Sequence, residues 1–311
     1  FMTGAAGMAA GPIMPDPKAE ARHQPQVEET ANGIPLVNIT APSSGGVSRN
    51  EYETFNVPDK GAILNNSYTL SKTELAGYVQ GNNNMAERPA KIIVNEVTGA
   101  GSTSMDGFLE VAGNRADVVI ANPNGITVNG GGFINTGKAF LTTGKPVYDG
   151  EDHLQRFDIT GGDILIEGKG LGGKETGSLA ILSRAVKINA GIWAKDLHIT
   201  TGTNTVDAKT LEASAIEGTG GRPAFALDTA AIGGMYAGRI TLVGTEKGLG
   251  VNNSGTWSAE DNLTLDWNGD LKNSGTIYSK GNTDLRASRL ENDKTIAAER
   301  NLSAAAKENI R

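Results

Sequence analysis

The 311-residue chain sets 28 Lys and Arg against 35 Asp and Glu, a formal charge of −7, with no basic run long enough to follow a phosphate backbone, so nucleic acid is not expected as a partner. Its 42 glycines, 5% aromatic residues and 20% charged residues suit many short strands and tight turns better than a helical bundle. It has no cysteine to crosslink, and no apolar stretch nears the roughly 20 residues of a membrane-spanning helix, so no stable membrane insertion is expected.

Phe1 to Pro17 is rich in Ala, Gly, Met and Pro, without the charged start and long apolar centre of a signal peptide. Asp16 to Ala31 is polar, with Pro17 and Pro25. Residues 1–31 are therefore expected to be a flexible arm or a processing remnant. The first strand is placed at Leu36–Ile39, and Phe55–Val57 and Ala62–Leu64 follow, separated by Pro58-Asp59-Lys60-Gly61. Such strands serve to cap a coil, whose open end would otherwise expose an unpaired edge.

Lys91–Val97 and Phe108–Val111 each precede a glycine-containing turn. The apolar run Val118-Val119-Ile120 then reads as a buried strand that stops at Asn122-Pro123-Asn124-Gly125, where proline locks φ and glycine tolerates positive φ. Ile126 and Val128 resume the period of two. After Gly130-Gly131-Gly132, strands are expected at 139–141, 157–159, 164–166, 179–182, 186–188 and 197–199. Asn253-Ser254-Gly255-Thr256 recurs as Asn273-Ser274-Gly275-Thr276 and as Asn292-Asp293-Lys294-Thr295, with Asn262, Asn282 and Asn301 following at a fixed offset and Leu263, Leu285 and Leu302 beyond them. A period near twenty with one asparagine corner per unit marks a solenoid, all-β, on the order of 12 rungs and about 60 Å long. Stacked asparagines could bond one another along the axis, or could simply make turns.

Residues that would carry chemistry are few. Gly132 to Lys138 and Gly168 to Lys174 fit G-x-x-x-x-G-K, but Ala139 and Glu175 stand where a magnesium-holding Ser or Thr is required, and no helix-forming run follows. His23, His153 and His198 have no ligand spacing, and His198 should face outward between Leu197 and Ile199. Asp266-Trp267-Asn268-Gly269-Asp270 resembles half a calcium loop without its distal Glu, and reads more simply as a turn. No metal, cofactor or catalytic residue is assigned. A polysaccharide-active β-helix would need paired carboxylates, such as Asp158 with Asp163 or Glu110 with Asp117, and the low aromatic content speaks against a sugar-stacking groove.

The Asn122–Gly125 corner resembles the Asn-Pro-Asn-Gly signature of two-partner secretion (TPS) domains, which open filamentous haemagglutinin-like and contact-dependent growth inhibition (CdiA-like) exoproteins. Gly33–Ile39, Gly45–Asn50, Phe55–Val57, Leu64–Ser67, Ile92–Thr98, Phe133–Thr136, Leu179–Val186 and Gly233–Val251 are similar, in order, to further phrases of that family. Two departures stand out. Asn82-Asn83-Asn84-Met85 occupies the place of the family's Asn-Pro-Asn-Leu, implying a less rigid turn, and Val128 and Gly131 or Gly132 stand where haemolysin-type members carry a cysteine pair.

The resemblance implies a right-handed parallel β-helix with an N-terminal cap and extra-helical hairpins. It places the secretion domain over 32–245 and the start of haemagglutinin-type repeats over 246–311. It further implies a non-enzymatic secretion signal that acts as a monomer, is bound by the periplasmic POTRA domains of a cognate TpsB outer-membrane barrel, and passes through the periplasm of a Gram-negative bacterium to the cell surface. Candidate recognition residues are Asn82, Asn84, Asn122, Pro123, Asn124 and Gly125, with Asn95 and Glu96; the alternative is that they only shape turns. Competing functions are adhesion through exposed strands, cytolysin secretion and, least favoured, polysaccharide hydrolysis or lysis.

Overall fold

A computed structural model describes residues 11–86 and 88–311. Alternation of apolar and polar residues in short strands, interrupted by glycine and asparagine corners, winds the chain into a parallel β-helix of three faces. Each rung contributes one short strand to each face and stacks in parallel on the rung before it.

The broad face holds ten strands in chain order. It runs from Val47–Phe55 through Ile92–Val97, Ala116–Ala121, Thr136–Thr142 and Ser178–Ser183 to Leu302–Ile310. Nine steps of about 4.8 Å give a rod about 43 Å long, shorter than the repeat length suggests. The difference lies in chain that leaves the coil at 67–91, 143–162 and 202–224, adding residues without rungs.

Inward-pointing residues form continuous columns. Asn50, Asn95, Ile120, Leu141, Ile181, Ile199, Leu242, Leu265 and Leu285 stack in register, so the core changes from amide to aliphatic after two rungs. Leu285 stacks on Leu265, and it is Thr283 that continues the Leu263 column, a two-residue offset from the spacing expected of the repeat. The expected asparagine ladder forms: Asn253 Nδ2 donates to Asn273 Oδ1 at 2.9 Å, and Asn273 Nδ2 to Asn292 Oδ1 at 2.8 Å.

Two excursions meet outside the coil. Lys145–Tyr148, Leu154–Ile159, Asn204–Asp207 and Ala213–Ala215 make a four-stranded antiparallel sheet. Phe157, Leu154 and Val206 from that sheet cover Val94, Val119, Phe140 and Ala180, outward-facing apolar residues of the broad face. This second core explains why Val118-Val119-Ile120 is unbroken in hydrophobicity: the strand is buried on both sides.

The expected flexible arm is, from Gly11 onward, part of the structure. Ile13–Pro15 pairs antiparallel with Val47–Phe55, and Gln26–Glu29 with Pro35–Asn38. These strands cover the first rung on two faces and satisfy its outer backbone edge. Their polar composition concealed them, because edge pairing uses backbone groups and needs few apolar side chains. Residues 1–10 lie outside the described residues.

Candidate functional site

The Asn122 corner ends the third broad-face strand and ties three rungs together. The Asn122 N–H donates to the Thr142 carbonyl of the next rung at 2.9 Å. Its carbonyl accepts the Gly125 N–H at 3.1 Å, and its Oδ1 accepts the Asn124 N–H at 2.9 Å, closing an Asx turn inside a β-turn. Nδ2 reaches back to the Gly101 carbonyl at 3.0 Å and Thr103 Oγ1 at 2.9 Å. Asn124 Nδ2 adds bonds to the carbonyls of Gly99 at 2.8 Å and Gly101 at 3.2 Å. Gly125 sits at φ +110°, and a Cβ there would lie 3.1 Å from the Asp163 carbonyl oxygen. Asn122 is fully buried, while Pro123 and Asn124 are exposed.

Asn82 to Met85 repeats this scheme. Asn82 Oδ1 accepts the Asn84 N–H at 2.9 Å and its carbonyl accepts the Met85 N–H at 3.1 Å. Nδ2 of Asn82 donates to the carbonyls of Ile39 at 2.9 Å and Asn65 at 3.0 Å, and Asn84 Nδ2 to the Ile39 carbonyl at 3.2 Å and Gln26 Oε1 at 2.6 Å. The turn keeps the Asx-turn and β-turn bonds of the other corner without proline, so the two outer asparagines define it, and Asn83 is simply exposed in the proline's place.

Asn95 and Glu96 lie elsewhere. Asn95 points into the coil, where its Oδ1 accepts the Tyr52 hydroxyl at 2.9 Å and its Nδ2 donates to the Val119 carbonyl at 3.1 Å. Glu96, the next residue of the strand, faces outward; burial and the neighbouring Glu51 push its carboxyl up to about 7, against the partial opposition of Lys145 and Arg49. The eight candidates therefore fall at three separate places: Asn82 with Asn84, Asn95 with Glu96, and the four residues Asn122 to Gly125.

A cluster that spacing alone did not suggest joins the cap to the extra-helical sheet. Asp152 takes Arg49 at 2.6 Å and Arg22 at 3.2 Å, and the Arg49 guanidinium carbon lies 3.8 Å from the centroid of the Tyr148 ring. His23 Nδ1 lies 2.8 Å from Glu51 Oε2. Burial is the main cause that raises the Tyr148 hydroxyl far above its ordinary value. The partners come from segments about a hundred residues apart, with no local motif to announce them.

The carboxylate pairs weighed for sugar chemistry are separated by the fold. Glu110 accepts the N–H groups of Glu74 and Leu75, at 2.5 and 3.2 Å, and Asp117 accepts that of Lys138 at 2.8 Å on a different face. Asp158 is paired with Arg156 at 2.9 Å on the extra-helical sheet, whereas Asp163 belongs to the coil. His198 faces outward as expected, with Nε2 2.9 Å from Thr200 Oγ1, and burial lowers its pKa.

The geometry agrees with what known proteins show. Residues 12–277 match the family model described as the TPS secretion domain. The chain is 42% identical over 298 residues to the Toxin CdiA of Yersinia pestis, covering 88% of this chain and 9% of that protein. It is 44% identical over 260 residues to the 16S rRNA endonuclease CdiA of Enterobacter cloacae, covering 83% of this chain and 8% of that protein. It spans less than a tenth of either, so the activities in those names belong to the whole proteins. The crystal structure of a filamentous hemagglutinin secretion domain superposes with a TM-score of 0.79 at 30% identity, covering 96% of this chain and 99% of that one. With the parallel coil, its cap and its two asparagine corners on the same segment that the family model spans, this chain belongs to the TPS secretion domain family.

Proposed function

We propose that this domain carries a large exoprotein, a contact-dependent inhibition toxin or haemagglutinin-like adhesin, out of a Gram-negative cell. The periplasmic POTRA domains of a cognate TpsB outer-membrane barrel read it before it folds, and its capped first rungs then nucleate the β-helix at the cell surface. The observation that carries this reading is the state of the asparagine corners. Asn82 and Asn122 are buried, and their amide donors are taken up by backbone carbonyls and the Thr103 hydroxyl. A partner that reads these side chains must meet them before the rungs close. Folding then withdraws the recognised residues and releases the partner. Because each rung templates the next, folding advances in the direction of export and needs no nucleotide.

The test separates recognition from turn formation. Asn122→Ala and Asn124→Ala are compared for thermal stability of the purified domain, for export through the cognate transporter, and for binding of an unstructured 115–130 peptide to isolated POTRA domains. Loss of peptide binding and export beyond the loss of stability supports recognition. Peptide binding equal to the parent's, with export falling only as stability falls, leaves the asparagines as turn formers.

A further inference from the structure

The chain has only seven Phe, six Tyr and three Trp, and four of these sixteen fall on the outer surface of one face. Phe108, Gly132, Gly172, Trp193, Tyr236, Ser258 and Tyr278 form one outward column along that face. The rings lie down over positions vacated by glycine. A Cβ on Gly132 would be 2.3 Å from the Phe108 ring, and one on Gly191 would be 2.5 Å from the Trp193 ring. Trp193 and Tyr236 are nearly parallel, at 18°, with centroids 6.1 Å apart. Phe108 is 41% and Tyr236 39% exposed. Buried Trp257 and Trp267 donate their indole N–H groups to Thr229 Oγ1 and the Leu249 carbonyl; the Trp193 indole N–H has no protein acceptor among the described residues.

Residues 71–75, the first strand and turn of an antiparallel pair with Gly77–Val79, face Phe108 and Trp193 across a groove of about 1440 Å³, and Tyr236 continues the column beyond it. Glu110 pins the wall by accepting N–H groups of Glu74 and Leu75. Lys72, Arg115 and Lys174 line the groove together with the carboxylates Glu74, Glu110 and Glu175, and no salt bridge forms at any of the three cations among the described residues.

We propose that this groove is an oligosaccharide-binding site. The flat C–H face of a pyranose fits an aromatic face, whose negative quadrupole attracts polarised C–H groups, while ring hydroxyls take the free indole N–H and the rim cations. An added peptide strand would need a free sheet edge, and the strands under the platform are paired on both sides. Rings lying flat also lack the upright ridges that grip a polyproline helix. A net charge of −7 disfavours a nucleic acid strand. The site is independent of the secretion signal, so the binding assay and the export assay can fail separately.

The 311-residue chain is titrated with hexasaccharides of β-1,4-glucose, β-1,4-N-acetylglucosamine and galacturonate, with an oligothymidylate and a proline-rich decapeptide as competing probes. Isothermal titration calorimetry reads the affinity of the parent and of every variant, and Trp193 fluorescence in the parent places the binding at the groove, because the other two tryptophans are buried. Saturable change with at least one saccharide is expected, weakened about tenfold or more in Trp193→Ala and largely retained in Trp193→Phe. Phe108→Ala, at an exposed ring, carries the same expectation should Trp193→Ala fail to melt cooperatively. Absence of saturation with all three saccharides, preference for either competing probe, or unchanged affinity in Trp193→Ala and Phe108→Ala would overturn the proposal.

Discussion

Asn273 is the middle member of the buried ladder and separates axial stacking from turn formation. Its Nδ2 donates to Asn292 Oδ1 at 2.8 Å, the Thr295 carbonyl at 3.0 Å and the Gly275 carbonyl at 3.1 Å; its Oδ1 accepts Asn253 Nδ2 at 2.9 Å and the Gly275 N–H at 3.2 Å. Asn273→Ala orphans the buried Gly275 N–H, at about 1–3 kcal/mol, and removes the net worth of the ladder bonds, at about 1 kcal/mol more. The sum of about 2–4 kcal/mol lowers the melting temperature of a chain this long by about 3–6 °C. Asn273→Asp is the decisive variant. Aspartate closes an Asx turn as well as asparagine does and still accepts from Gly275 and Asn253, but it has no donor and sets a carboxylate against two carbonyls and Asn292 Oδ1. Urea and thermal unfolding of the purified chain should show Asn273→Asp at least as unstable as Asn273→Ala. A melting temperature for Asn273→Asp within a degree of the parent would refute the ladder and leave a turn residue.

Three further outcomes follow from the geometry. The Glu96 carboxyl rises from 4.5 to about 7 in the fold, so its contribution is complete below about pH 4.5 and is lost as the pH rises through about 7. At about 1.4 kcal/mol per pH unit the upper limit is about 3.5 kcal/mol, and Glu96→Gln should flatten this limb in unfolding measured from pH 4 to 9. Gly125→Ala forces a side chain into φ +110° and 3.1 Å from the Asp163 carbonyl, and should destabilise by about 1–3 kcal/mol in urea titration. Phe157→Ala empties the seam between the extra-helical sheet and the coil, should cost about 3–5 kcal/mol, and should accelerate amide exchange across residues 145–159 before the rungs respond.

Much of the architecture was legible because a rung is a local object. Strand periodicity and the recurrence of Asn253, Asn273 and Asn292 report neighbours one turn apart, and one turn is about twenty residues when nothing intervenes. The Asn122 corner could likewise be read from its own four residues. The cap could not, because strands 13–15 and 26–29 are held by backbone pairing that leaves little trace in side-chain pattern. Nor could the cluster of Arg22, Arg49, Tyr148 and Asp152, which excursions of irregular length bring together.

The aromatic platform shows the same division. Low aromatic content argued against a stacking surface, yet composition averages over the chain while a β-helix sorts residues by register. Phe108, Trp193 and Tyr236 fall at uneven intervals in sequence, and stacking alone places them in one column. The sequence by itself determined the coil, its corners and its family, because those depend on contacts one rung apart. Only the tertiary structure decided which corner side chains are enclosed, what the cap and outer sheet cover, and where the rings line up, because those contacts join segments whose separation the excursions set.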